Sequence, residues 1–173
     1  VGNTDFMPAV WYQKKLMLKK DLNGRRLLLH FGAVDYACSV WLNGEPVGEH
    51  RGGYSSFTFD ITEYVLDGEN NLVLAARDDQ RCGLQPRGKQ SPEYFSRGCN
   101  YTRTTGIWQT VWLERVPECH IRSLQYYPNV AQNTLTIKAS LRGEGVLEAR
   151  AFYEGRSCGC GRVQVLGQVA VLT

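Results

Sequence analysis

Apolar residues recur at every second position along most of this chain, a pattern that constrains it to β-strands. Leu27, Leu29, Phe31 and Ala33 alternate, and Tyr36, Cys38, Val40 and Leu42 resume the pattern after a turn at Val34-Asp35. Phe57, Phe59 and Ile61 repeat it, as do Leu72, Leu74 and Ala76. A period of two places one face of each strand on a core. Ile107, Gln109, Val111 and Leu113 share one face, and Trp108, Thr110 and Trp112 share the other. Tryptophan on the second face predicts a strand covered on both sides, with Trp41, Trp108 and Trp112 in the core. Asn23-Gly24, Asn43-Gly44 and Asp67-Gly68 supply the positive φ that tight hairpins need. The sole helical signal is Asp60-Ile61-Thr62-Glu63, a capping-box pattern for one short turn. Many short strands separated by such turns predict an all-β fold, a jelly-roll β-sandwich.

One stretch breaks this rhythm. Residues 78–105 show no sustained apolar period, yet they are rich in arginine, glycine and aromatics, including Tyr94, Phe95 and Tyr101. Connections longer than about 12–15 residues are uncommon in compact domains and are usually functional or disordered. The aromatic content favours an ordered, functional loop. A second unit is expected from Pro117, with strand-like runs at 120–127, 134–141, 147–153 and 162–166. The expected domains are therefore residues 1–116 and 117–173. The second is too short for an immunoglobulin-type sandwich of about 100 residues and reads as partial.

The net charge of +3 is small and spread along 173 residues, with no Lys/Arg block. That weighs against nucleic-acid and membrane partners. Apolar runs such as 27–29 are far too short to span a bilayer. The six cysteines are irregularly spaced, and Cys158-Gly159-Cys160 has no second pair or nearby histidine to make a zinc site. Free thiols in a reducing, cytoplasmic compartment are expected, with a Cys82–Cys99 bridge as the alternative. His30, His50 and His120 lack ligand spacing, so neither a metal nor a cofactor is expected. The chain opens on Val1-Gly2-Asn3 rather than Met, which reads as a segment of a longer polypeptide.

Several segments occur in an order that carries a resemblance. They are Leu29-His30-Phe31-Gly32-Ala33-Val34-Asp35, Val40-Trp41-Leu42-Asn43-Gly44, His50-Arg51-Gly52-Gly53-Tyr54 and Phe57-Thr58-Phe59-Asp60-Ile61-Thr62. Gln85-Pro86-Arg87-Gly88-Lys89-Gln90 and Tyr101-Thr102-Arg103-Thr104-Thr105-Gly106-Ile107-Trp108 follow. Together they resemble the amino-terminal sugar-binding region of family 2 glycoside hydrolases, the β-galactosidase and β-glucuronidase group. The likeness is strongest over residues 11–117 and weaker beyond, where the chain resembles the start of that family's immunoglobulin-like domain.

The resemblance implies a sugar-binding jelly roll, then an immunoglobulin-like domain, then a TIM barrel with two catalytic glutamates. Retaining hydrolysis needs such a carboxyl pair about 5–5.5 Å apart. Nothing here resembles the family's barrel motifs, so this region is expected to be inactive alone. The loop at residues 78–105 would reach the sugar at the non-reducing end. Asn100 falls where the family carries a sugar-contacting Asp, and lacking charge it weighs against a carboxylate role, including help with a sodium ion. Arg103 aligns with an Arg of the β-galactosidases and could fix a hydroxyl or pin the loop. Tyr101 completes the set of expected substrate contacts.

Three functions follow from this reading. The first is a non-catalytic part of a glycosidase that completes its pocket. The others are a free-standing carbohydrate-binding module and a structural, oligomer-forming domain. The expected partners are a carbohydrate, the barrel of the same polypeptide and further copies of the chain.

Overall fold

The computed structural model describes the backbone of residues 2–3 and 5–173, and side chains from Asp5 onward. The chain forms two compact units, Val1–Arg115 and Val116–Thr173. The strands of the first are β1 (Gly2–Asn3), β2 (Ala9–Leu18), β3 (Arg25–Phe31), β4 (Val34–Asp35), β5 (Ala37–Leu42) and β6 (Glu45–Arg51). They continue with β7 (Phe57–Asp60), β8 (Gly68–Arg77), β9 (Arg103–Thr104), β10 (Gly106–Ile107) and β11 (Val111–Pro117).

A four-stranded sheet in the order β2-β8-β5-β6 packs against a three-stranded sheet in the order β11-β3-β7. Leu27, Leu29 and Phe31 of β3 meet Cys38, Val40 and Leu42 of β5 and Leu74 and Ala76 of β8 in one apolar core. The alternation therefore becomes a β-sandwich, and truncating a buried aromatic such as Phe31 should cost about 3–5 kcal/mol. The β5–β6 hairpin turns on Asn43 and Gly44, with φ of 56° and 85°. Asn43 also holds the turn to its neighbours, donating to Asn70 Oδ1 at 2.8 Å and accepting from Asn71 N at 2.9 Å.

Three local expectations need correction. The short turn is a 3-10 segment, Thr62–Tyr64, but its cap residue is Ile61 and makes no side-chain cap bond. Asp60 instead accepts from the Thr62 backbone and hydroxyl and pairs with Arg26. Val34-Asp35 is no simple turn, because it pairs with β10 and is buried. The tryptophans are not core residues. Trp108 and Trp112 are exposed and Trp41 is half-buried, because backbone pairing breaks between β10 and β11 and the outer face stays open.

The second unit contains β12 (His120–Asn129), β13 (Thr134–Arg142), β14 (Gly145–Tyr153), β15 (Arg156–Val165) and β16 (Val169–Leu172). A β12-β13-β16 sheet and a β14-β15 hairpin enclose a small core of Ala139, Leu141, Leu147, Val165 and Ala170. Tyr126, Tyr127, Phe152 and Tyr153 lie exposed on these strands.

All six cysteines are free, so the Cys82–Cys99 bridge is not formed. Cys38 is buried, and that burial pushes its thiol up to about 11.

Candidate functional site

The loop at residues 78–105 is anchored from both ends. Asp78 N donates to Pro8 O at 3.0 Å where the loop leaves β8, and β1 pairs with β9 where it returns. Its middle is tied by Tyr101 N to Lys89 O at 2.9 Å and Ser91 N to Tyr101 O at 2.7 Å. Arg97 and Asn100 close the tip with reciprocal backbone bonds of 3.1 and 3.0 Å.

Beneath the loop lies a buried polar network. Gln90 Nε2 donates to Asp35 Oδ2 at 2.8 Å, while Gln90 Oε1 accepts from Thr104 N at 2.6 Å and from Gln80 Nε2 at 2.7 Å. Gln80 Nε2 also donates to Asp78 Oδ2 at 2.6 Å, and Asp78 further accepts from Thr105 and Gln85. Asp35, Asp78, Gln80, Gln90 and Thr105 are all buried. Polar groups in such a place are costly unless bonded, so these bonds favour one loop conformation, although Gln80 Oε1 has no partner among the described residues. Burial raises the Asp35 and Asp78 carboxyls above their ordinary value, Gln90 lowers the first and Gln80 the second, and the charge on Asp78 lifts Asp35 further. Both carboxyls are engaged by amide and hydroxyl donors under the loop, where they serve to hold it.

Arg103 is 2% exposed, so it is not a free loop side chain. Its guanidinium donates to the carbonyls of Ser91, Glu93 and Tyr94 and lies 3.8 Å from the Phe6 ring centroid. Arg81 covers the same ring at 3.5 Å. These contacts favour the pinning role for Arg103, through the backbone carbonyl oxygens of the loop.

The face above the network is aromatic. Tyr54, Tyr101 and Trp108 are exposed, with Tyr54 edge-on to Trp108 at 5.8 Å between centroids. Tyr54 Oη donates to Arg87 O at 3.1 Å, so this residue clamps the loop. Its phenol is raised by burial, and the adjoining Tyr101 hydroxyl adds to the effect. Trp108 Nε1 donates to Gly53 O at 2.8 Å, which fixes the indole at the rim. Asn100 is half-buried and its carboxamide makes no hydrogen bond among the described residues, leaving both its donor and acceptor available.

Asn100 and Tyr101 thus share the exposed side of the loop, while Arg103 lies inside it. The sequence reading missed Gln80, Gln90, Asp35 and Asp78 as the support and Tyr54 as a clamp. Gln90 did close a recognised motif, but its partner lies 55 residues away. The histidines make local contacts, such as His30 Nδ1 with Thr58 Oγ1 at 2.8 Å. Among the described residues, no group of three His, Cys, Asp or Glu side chains is placed to hold a metal ion. No helix among them is long and apolar enough to cross a membrane.

The family profile described as "Glycosyl hydrolases family 2, sugar binding domain" matches residues 3–117. A β-galactosidase of Thermoanaerobacter pseudethanolicus is 28% identical over 155 residues, covering 87% of this chain and 20% of that protein. A β-glucuronidase of Bacteroides fragilis is 40% identical over 87 residues, covering 49% of this chain and 12% of that protein. The crystal structure of a Bacteroides uniformis β-glucuronidase matches 99% of this chain and 22% of its own, with a TM-score of 0.70 at 21% identity, a likeness of fold. The chain spans between 12% and 22% of the length of the curated relatives it matches.

Proposed function

This chain belongs to the sugar-binding domains of glycosyl hydrolase family 2, and we propose that it forms the non-catalytic amino-terminal part of a β-galactosidase- or β-glucuronidase-like enzyme. Residues 1–116 act as its jelly roll and 117–173 as the start of an immunoglobulin-like domain. The loop at 78–105 then supplies one wall of the pocket for a terminal non-reducing sugar, the remainder coming from a barrel in the same polypeptide. The observation that carries this reading is the rigid seating of the loop, whose outer side offers Asn100 and Tyr101 beside Tyr54 and Trp108. A hydroxyl-rich ligand needs fixed donors and acceptors next to apolar ring faces, and this rim supplies both.

Asn100 would exchange hydrogen bonds with a sugar hydroxyl, Tyr101 would add a hydroxyl and a ring face, and Arg103 would keep both in place. The free thiols support a cytoplasmic location. The exposed aromatics of the second unit support assembly with further copies. Assaying purified protein on chromogenic β-galactosides and β-glucuronides tests the functional reading. The isolated chain should show no turnover above blank, whereas the longer polypeptide that contains it should turn over at least one substrate. Turnover by the isolated chain would overturn the proposal.

A further inference from the structure

The outer face of the β2-β8-β5-β6 sheet holds an open groove of about 580 Å³, built by strand register. One row across the sheet runs Trp11, Ala75, Ser39, Glu49, and the next runs Ala9, Arg77, Ala37, Arg51. Small side chains at Ala37, Ser39 and Ala75 make the floor. Tryptophan rises on one side, and charged side chains rise on the other.

Trp11 is 67% exposed and stacks on Trp41 with centroids 5.8 Å apart and planes 16° apart. The pair spans the intervening β8, where Ala75 leaves room for the indoles to lean together. Trp11 stands on the edge strand β2, and so large an exposed indole there is unusual, since burying its surface is favourable. Opposite it, Ser39 Oγ donates to Glu49 Oε1 at 2.9 Å and holds that carboxylate in place. Arg51 and Arg77 flank Ala37 and make no ion pair among the described residues.

We infer that this groove is a second saccharide-binding site, distinct from the loop, that takes one pyranose unit of a glycan chain. The C–H face of a pyranose is apolar and flat enough to lie on an indole, while its rim of hydroxyls needs both donors and acceptors. Trp11 and Trp41 supply the platform, Arg51 and Arg77 the donors and Glu49 the acceptor. The volume suits one or two sugar rings, within the roughly 300–1,000 Å³ of small-ligand sites. Charged and hydroxyl groups along the lining argue against a lipid, and Glu49 opposes a phosphate backbone. The two arginines can also receive the carboxylate of a uronic acid, so the ring is the shared feature and the charge separates its sources.

Titration of the chain with lactose, cellobiose and D-glucuronate, followed by indole N–H resonances and tryptophan fluorescence, tests this site. The Trp11 and Trp41 signals should saturate with at least one of the three, with a dissociation constant on the order of 1 mM. Trp11→Ala, at a largely exposed position, should weaken binding roughly tenfold or more without lowering Tm. Arg51→Gln should separately weaken any binding of glucuronate relative to the neutral sugars. Binding is read at the Trp11 and Trp41 indoles and compared with the Trp108 indole of the loop rim, which keeps this site separable from the loop. No response of the Trp11 indole to any of the three saccharides would overturn the inference. So would binding that Trp11→Ala leaves intact, or a dimer held through Trp11 that leaves no room for sugar.

Discussion

Gln90 Nε2 donates to Asp35 Oδ2 at 2.8 Å, joining the middle of the loop to a strand end 55 residues earlier. Because Gln90 also accepts from Thr104 N and Gln80, one carboxamide ties together both ends of the loop and the sandwich beneath it. Replacing it by Leu should remove one hydrogen bond each from Asp35, Gln80 and Thr104 N in a buried place. The expected cost is about 1–3 kcal/mol, read as a lower Tm, together with faster amide exchange in residues 78–105. Unchanged exchange in the loop would show that the network does not hold it.

Arg103→Ala should destabilise the first unit by about 3 kcal/mol. It removes a buried guanidinium bonded to three backbone carbonyls and stacked on Phe6. Denaturant unfolding measures this directly. A loss below about 0.5 kcal/mol, the size of an ordinary surface change, would remove the pinning role.

The two network carboxyls make a pH-dependent prediction. Asp35 and Asp78 are raised above 3.8, chiefly by burial, so each holds its proton more tightly in the folded chain. Their contribution to stability is therefore fully present below 3.8 and is lost as pH rises through the folded-state value. Asp60 behaves oppositely, because bonds from Arg26 and Thr62 outweigh its burial and hold it below its ordinary value. The Tm of the wild-type protein minus that of Asp78→Asn should accordingly be larger near pH 3.5 than near pH 7, both approximate working conditions. A difference that grows toward neutrality would contradict the assignment.

Gly106 has a φ of 89°, and a Cβ there would run into the Tyr12 hydroxyl and come within 2.7 Å of Val10 Cγ2. Gly106→Ala combines backbone strain with overpacking and should cost about 2 kcal/mol or more. Thermal unfolding checks it, with a Tm within a degree or so of wild type being the contrary result.

Thiol reactivity separates one cysteine from the rest. Native alkylation should modify the five exposed cysteines quickly and leave Cys38, whose thiol is buried and raised to about 11, until the chain unfolds. Intact mass after a short native reaction should show five additions, and six would mean that the sandwich opens readily.

The core was legible because alternation at Leu27, Leu29 and Phe31 and at Cys38, Val40 and Leu42 reports a buried face directly. The loop was legible as an interruption of that period. Its interior was not, since Gln80, Gln90 and Asp35 are polar residues whose burial depends on partners far away in sequence. For the same reason the sequence left Arg103 open between fixing a sugar hydroxyl and pinning the loop. The tryptophans misled in the other direction: alternation puts Trp41, Trp108 and Trp112 each on one side of its segment but does not say whether anything covers that side. The strands Ala9–Leu18 and Val169–Leu172 went unrecognised because neither has a clean apolar-polar alternation.

The most direct test compares kinetics with stability for Asn100→Ala and Tyr101→Ala in the longer polypeptide that carries this chain. Both residues sit on the outer side of a loop held from beneath, so their loss should spare the fold. The account predicts that kcat/KM falls roughly tenfold for each variant while Tm stays within about a degree of wild type. Unchanged kcat/KM in both variants would contradict a substrate-facing loop.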